Sequence, residues 1–156
     1  MIGNAGEHLV IGELLRRGAV ATLAPRNFAA FDVLVTTDQI AAHVRVKTKT
    51  AAADSWVWNV RKTGEIFDRL KKKDDFTVLV DLPKSTEPPR FYVLPTPELD
   101  KQLRDDFAWW VSQPPKNKAG RPHNPNNWMR RIGHRPENWQ WLNGFQNRWG
   151  LITELS

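Results

Sequence analysis

Asp32, Arg45 and Lys47 have the residue types and the spacing for chemistry on a phosphodiester. Asp32 stands in the run Phe31-Asp32-Val33-Leu34-Val35, and Arg45 and Lys47 stand two apart in His43-Val44-Arg45-Val46-Lys47-Thr48. Side chains alternate along a strand, so Arg45 and Lys47 share one face, and a hairpin between the two segments would set Asp32 beside them. A lone carboxylate in an apolar run is costly unless it meets a cation. Metal-dependent phosphodiester hydrolysis needs a carboxylate to hold a hard divalent ion and a lysine to stabilise charge or position the attacking water. Asp32 and Lys47 suit those two roles. Arg45 stands where a second acid or amide is wanted. It is able instead to pair with Asp32 or Glu7 in place of a metal, or to grip a phosphate with its planar guanidinium.

The elements that must position these groups are legible from periodicity. A helix is expected from about Asn4 to Arg17, with Asn4 as N-cap, Glu7 completing a capping box and Gly18 ending it. Glu7, Val10, Ile11 and Leu14 follow helical spacing, which turns Glu7 toward the sheet. Three strands are expected next, Ala19 to Ala24, Phe31 to Thr36 and Ile40 to Thr50, with turns at Pro25 to Phe28 and Thr37-Asp38-Gln39. In the third, Lys49 continues the alternation of His43, Arg45 and Lys47 and extends a cationic stripe able to face phosphate. Ser55 to Val60 should be extended with Trp56 and Trp58 on one face, and a short charged helix is expected from Glu65 to Lys72.

Phe76 to Leu82 reads as a strand covered on both faces, with Arg90 to Leu94 as its neighbour. Thr96-Pro97-Glu98 starts a helix whose stripe of Leu99, Leu103, Phe107 and Trp110 should cover the sheet opposite the first helix. After Ser112 the composition turns to Pro, Asn and base, and Gln113 to His134 is expected to be a long arm without regular structure. A last helix from Pro136 to Trp149, with Trp139, Leu142, Phe145 and Trp149 on a stripe, should dock on the core. The expected organisation is therefore an α/β core over 1–112, a basic arm over 113–135 and a docked helix over 136–156, together one domain.

The chain has 156 residues, no cysteine and a formal net charge of +6. Disulfides and thiolate metal sites are excluded, and a reducing, cytoplasmic setting is expected. No apolar run approaches the ~18 residues of a membrane span. The charge is unevenly placed: Phe107 to Pro136 holds no acid and six bases, Lys116, Lys118, Arg121, Arg130, Arg131 and Arg135. Such a segment attracts a phosphate backbone through counterion release, so nucleic acid, with DNA first, is the expected partner. A solvated basic loop is the alternative. Of the eight tryptophans, Trp56, Trp58 and Trp128 fall near the candidate site or in the arm, where base stacking competes with core packing.

Gly6-Glu7, Phe31-Asp32-Val33-Leu34-Val35 and Arg45-Val46-Lys47-Thr48, in this order of helix, strand and strand, resemble the PD-(D/E)xK nuclease superfamily. Thr77-Val78-Leu79-Val80-Asp81-Leu82 and Phe91-Tyr92-Val93-Leu94-Pro95 look like its small bacterial members, and the likeness spans about residues 3 to 100. The resemblance implies a restriction-endonuclease-like fold: a central mixed sheet of four to six strands flanked by helices, here with a helical, basic C-terminal extension. It implies Asp32 as metal-binding acid, Lys47 as catalytic lysine and Glu7 as accessory acid, with Mg²⁺ or Mn²⁺ held by Asp32 and Glu7. Arg45 departs from the acid or amide of that pattern.

Two functions follow. One is Mg²⁺-dependent endonuclease hydrolysis of DNA, with Arg45, Lys49, Lys116, Lys118, Arg121, Arg130 and Arg131 contacting substrate and a homodimer allowed. The other keeps the fold without the chemistry: Arg45 closes the metal pocket, and the protein binds nucleic acid or a protein partner.

Overall fold

The computed structural model describes residues 1–25, 30–38, 41–67, 69–70, 72–116 and 119–155. Helix α1 spans Ile2–Arg16, starting earlier than its sequence signals suggest. Met1 is the N-cap and no side chain caps it, so the expected capping box of Asn4 and Glu7 does not form. The Ala5 N–H already bonds the Met1 carbonyl at 3.2 Å, closing by main chain the turn that Asn4 was to close. Gly18, at φ +82, leads the chain off the helix in the left-handed region, where glycine pays no Cβ penalty.

Strands β1 (Val20–Leu23), β2 (Val33–Thr36) and β3 (Ala41–Thr50) form an antiparallel meander. The chain leaves the sheet through β4 (Trp56–Asn59), returns as β5 (Asp75–Leu82) parallel to β3, and turns into β6 (Arg90–Pro95) antiparallel to β5. The sheet order is β1-β2-β3-β5-β6, a mixed sheet of five strands flanked by helices, as expected. Nearly all of β5 is buried, the fate its unbroken apolar run dictates for a central strand.

Two cores lie on the two faces. Val10 and Leu14 of α1 pack with Val33, Val44, Val78 and Val80 on one. On the other, Leu99 and Leu103 of α2 (Thr96–Ser112) pack with Leu79, Leu94, Trp56 and Trp58, so α2 covers the face opposite α1, as its stripe predicts.

Three further expectations are corrected. The arm holds a strand, β7 (Met129–Ile132), which pairs antiparallel with β4 in the register Trp56↔Ile132. Its sequence shows no alternation; the pairing is set by a long-range partner and by Ile132, which is fully buried. The described residues between Glu65 and Lys72 form bends rather than a helix. A helix this short depends on tertiary support, and here the Asp75 carboxylate accepts the Lys72 N–H at 2.8 Å, a side-chain bond that competes with helix. The final helix is two, α3 (Pro136–Asn143) and α4 (Gly150–Thr153). Between them the chain runs along the outer edge of β6, with Val93 N–H bonded to the Phe145 carbonyl and Asn147 N–H to the Phe91 carbonyl, both at 3.0 Å. That edge is thereby covered, and Leu142 and Trp149 reach opposite faces of the sheet. Among the described residues no helix is long and apolar enough to cross a membrane.

Candidate functional site

Asp32 lies one residue before β2. Its N–H bonds the Val44 carbonyl at 2.9 Å, extending the β2–β3 pairing, and its side chain turns back so that Oδ2 accepts the Val46 N–H at 2.7 Å. A carboxylate thus takes the place of the next ladder acceptor, which fixes it beside β3. The Arg45 Nε lies 3.6 Å from the same oxygen, with the two side chains 40% and 24% exposed. Lys47 projects from the same face of β3, its ammonium 5.4 Å from the centre of the Trp58 ring. Burial there, reinforced by the positive charge of Arg45, holds the Lys47 pKa below that of an ordinary lysine, with Asp32 acting in the opposite sense.

Helix α1 brings the second acid. A Cβ at Gly6 would overlap Thr48 Oγ1 and stand 3.1 Å from its Cβ, so only glycine lets α1 cross β3 this closely. The next residue, Glu7, consequently faces the strand ends. Its carboxyl is pushed above the usual glutamate range by burial and then by the negative charge of Asp32, while His8 and Arg45 pull it back. Asp32 forms part of the walls of two hollows. One, of about 200 Å³, holds Arg45, Val46, Lys47, Trp58 and Arg61. The other, of about 330 Å³, holds Asn4, Glu7 and His8.

The structure therefore gathers Glu7, Asp32, Arg45 and Lys47, with Asp32 between the glutamate and the lysine. Among the described residues no group of three His, Cys, Asp or Glu side chains is placed to hold a metal. What the site offers is two carboxylates close enough to repel. A Mg²⁺ that keeps several waters and binds through one or two carboxylates together with substrate phosphates fits such a donor pair.

The other expected contact residues scatter. Lys49 is buried at the far end of β3, 2.7 Å from Asp81 Oδ1 and 5.0 Å from the Trp56 ring centre. Arg130 lies 3.4 Å over the Phe107 ring and donates to the Asn127 carbonyl at 2.7 Å. Lys116 and Arg121 are exposed, Arg131 is half-buried on β7, and Lys118 lies outside the described residues. Arg61 and Arg69 line the Asp32 hollow although neither was singled out from sequence. Arg61, following the Trp-Val-Trp-Asn strand by two residues, carries the only available signal: a base leaving an aromatic strand.

No protein-family model and no curated relative matches the chain. Among solved structures it is similar to a bacterial homing endonuclease, I-Ssp6803I, with a TM-score of 0.54 and 15% sequence identity, over 98% of this chain and 91% of that one. The fold is nuclease-like. In this nuclease-like fold the likeness runs through β7 and the C-terminal helices as well as the sheet, since nearly the whole chain is covered.

Proposed function

We propose that the protein is a Mg²⁺- or Mn²⁺-dependent endonuclease of PD-(D/E)xK type, cutting DNA at the hollow beside Asp32. The observation that carries this reading is the convergence of Glu7, Asp32 and Lys47 from one helix and two strands. The endonuclease character of the similar structure supports it. Asp32 and Glu7 would hold the ion, and the Glu7 carboxyl, raised by burial and then by the charge of Asp32, would be ionised in that role. Val46 directs its N–H toward Asp32, and a strand residue sends its carbonyl to the same edge, making that oxygen a further donor. A bound divalent ion supplies Lewis-acid polarisation of the phosphate and a more acidic attacking water. Lys47, with its basicity lowered, would orient that water and, as the neutral amine, accept the proton it releases on attacking phosphorus. Lys116, Arg121 and Arg131 contribute phosphate contacts that position the duplex without reading its sequence.

The test is cleavage of plasmid DNA with Mg²⁺ or Mn²⁺. Asp32→Ala and Lys47→Ala should each abolish product, and cleavage that survives Asp32→Ala rules this site out. The 3.6 Å approach of Arg45 to Asp32 favours a second reading, a nucleic-acid-binding protein without hydrolysis. Salt-sensitive DNA binding with no metal-dependent product would select it.

A further inference from the structure

Seven of the eight tryptophans are already spoken for. Trp56, Trp58 and Trp149 are buried. Trp109 is covered by the Arg135 guanidinium, 3.6 Å from its ring centre, and Trp110 packs on His123. Trp139 packs on Trp56, and Trp141 on Phe145. Trp128 is different: it is 73% exposed, and no aromatic or cationic group covers it among the described residues.

Its backbone is nonetheless fixed. The Trp128 carbonyl accepts the Val60 N–H at 2.8 Å, prolonging the β4–β7 pairing by one step. Asn127 Oδ1 accepts the Met129 N–H at 2.8 Å, and Asn124 Oδ1 accepts the Asn126 N–H at 2.9 Å, so the Pro/Asn loop is built from side-chain-closed turns. A large apolar ring held out on an ordered backbone is poised to bind at little further cost in entropy. It borders a hollow of about 480 Å³ shared with Arg61, Lys62, Asn126 and Arg130, with no carboxylate in its walls. Arg61 also lines the hollow of Asp32 and Lys47, so the two sites share a wall.

We infer that Trp128 is a stacking platform for an unpaired base of single-stranded DNA whose phosphates run along Arg61 and Lys62 toward the Asp32 hollow. This rests on the nucleic-acid reading above but not on hydrolysis. Bases inside a duplex stack on one another and expose no free face, whereas an unpaired base offers its ring to an aromatic side chain while the backbone tracks the cations. The inferred ligand class is accordingly DNA with an unpaired stretch next to the segment held at the Asp32 hollow.

Fluorescence anisotropy in EDTA, with oligothymidylate and an abasic deoxyribose-phosphate strand of equal length, separates base from phosphate. The wild type should bind oligothymidylate about 5- to 150-fold more tightly than the abasic strand, the span expected for one stacked base. Trp128→Ala should lose that preference while keeping its affinity for the abasic strand, and Trp128→Phe should keep most of it. Equal binding of the two strands by the wild type, or a preference that survives Trp128→Ala, overturns the inference. Thermal melts report the folding of each variant, and Trp128→Leu, which retains apolar bulk without an aromatic face, replaces the alanine variant if that one does not fold. Because EDTA excludes hydrolysis, this outcome stands apart from that of the plasmid assay.

Discussion

The Arg45 guanidinium stands 3.6 Å from the Asp32 oxygen that already accepts the Val46 N–H at 2.7 Å. That separation is well beyond the ~2.7–2.9 Å of a charge-assisted hydrogen bond. With both side chains partly exposed, the pair is a loose one, and in the proposed metal site Arg45 would compete with a divalent ion for Asp32.

Replacing that competitor should therefore strengthen metal binding. Unit charges about 4 Å apart interact by ~1–4 kcal/mol in the dielectric range of water and protein surface, so Arg45→Gln is expected to bind Mn²⁺ roughly tenfold more tightly than the wild type. Titration calorimetry measures this. Weaker Mn²⁺ binding by the variant would mean that Arg45 supports the site rather than opposing the ion.

Asp32 has a structural duty separable from any chemistry. Asp32→Ala leaves the Val46 N–H without its acceptor and should cost about 1–3 kcal/mol in urea unfolding. Asp32→Asn keeps an oxygen in reach of that N–H, so it should retain most of the stability and still lose cleavage. Equal destabilisation by both variants would show that the bond at 2.7 Å contributes little.

Glu7 has a carboxyl raised by burial and by Asp32. A group whose folded pKa exceeds its unfolded value holds its proton more tightly in the native state, so stability is greatest below the ordinary value of 4.5 and falls as pH rises toward the folded value. Glu7→Gln should match the wild type in Tm at acid pH and exceed it above that window. Added Mg²⁺ should narrow the gap by stabilising the wild type alone. A Tm difference independent of pH would contradict the assigned shift.

Gly6 sets the distance between α1 and β3. Alanine would gain ~1 kcal/mol of helix propensity, but overpacking against Thr48 costs ~1–3 kcal/mol and moves the helix. A net loss of up to about 2 kcal/mol is expected for Gly6→Ala, together with reduced cleavage because Glu7 shifts with its helix. Thr48→Ala in the same chain should recover part of the loss in a double-mutant cycle.

Asp106, buried on α2, accepts bonds from Arg135 Nε at 2.9 Å and Asn138 Nδ2 at 3.0 Å, tying α3 to the core. Asp106→Ala strands a mostly buried guanidinium and should cost about 3–5 kcal/mol. The segment around β7 should become the first site of limited proteolysis. An unchanged unfolding midpoint would show that the pair contributes no net stability.

Local pattern determined a good part of this protein. The period-two alternation of β3 put Arg45 and Lys47 on one face, the unbroken apolar run of β5 made it a central strand, and the helical stripe of Leu99 and Leu103 sent α2 to the face opposite α1. These are properties of a chain's own spacing, and a one-residue slip would have reversed which side of β3 is buried. Alternation fixes a face but not what covers it, and that was left to the tertiary structure. The same stripe carries Lys47 to a hollow bordered by Trp58 of β4 and Lys49 into a buried pair with Asp81, because Lys49 alone is enclosed by both Trp56 of β4 and Trp139 of α3. Likewise β7 exists because β4 offers it a ladder, and the C-terminal helix breaks because the edge of β6 takes its backbone bonds. Each of these outcomes depends on partners distant in sequence, whose closure entropy is repaid only when the whole core assembles.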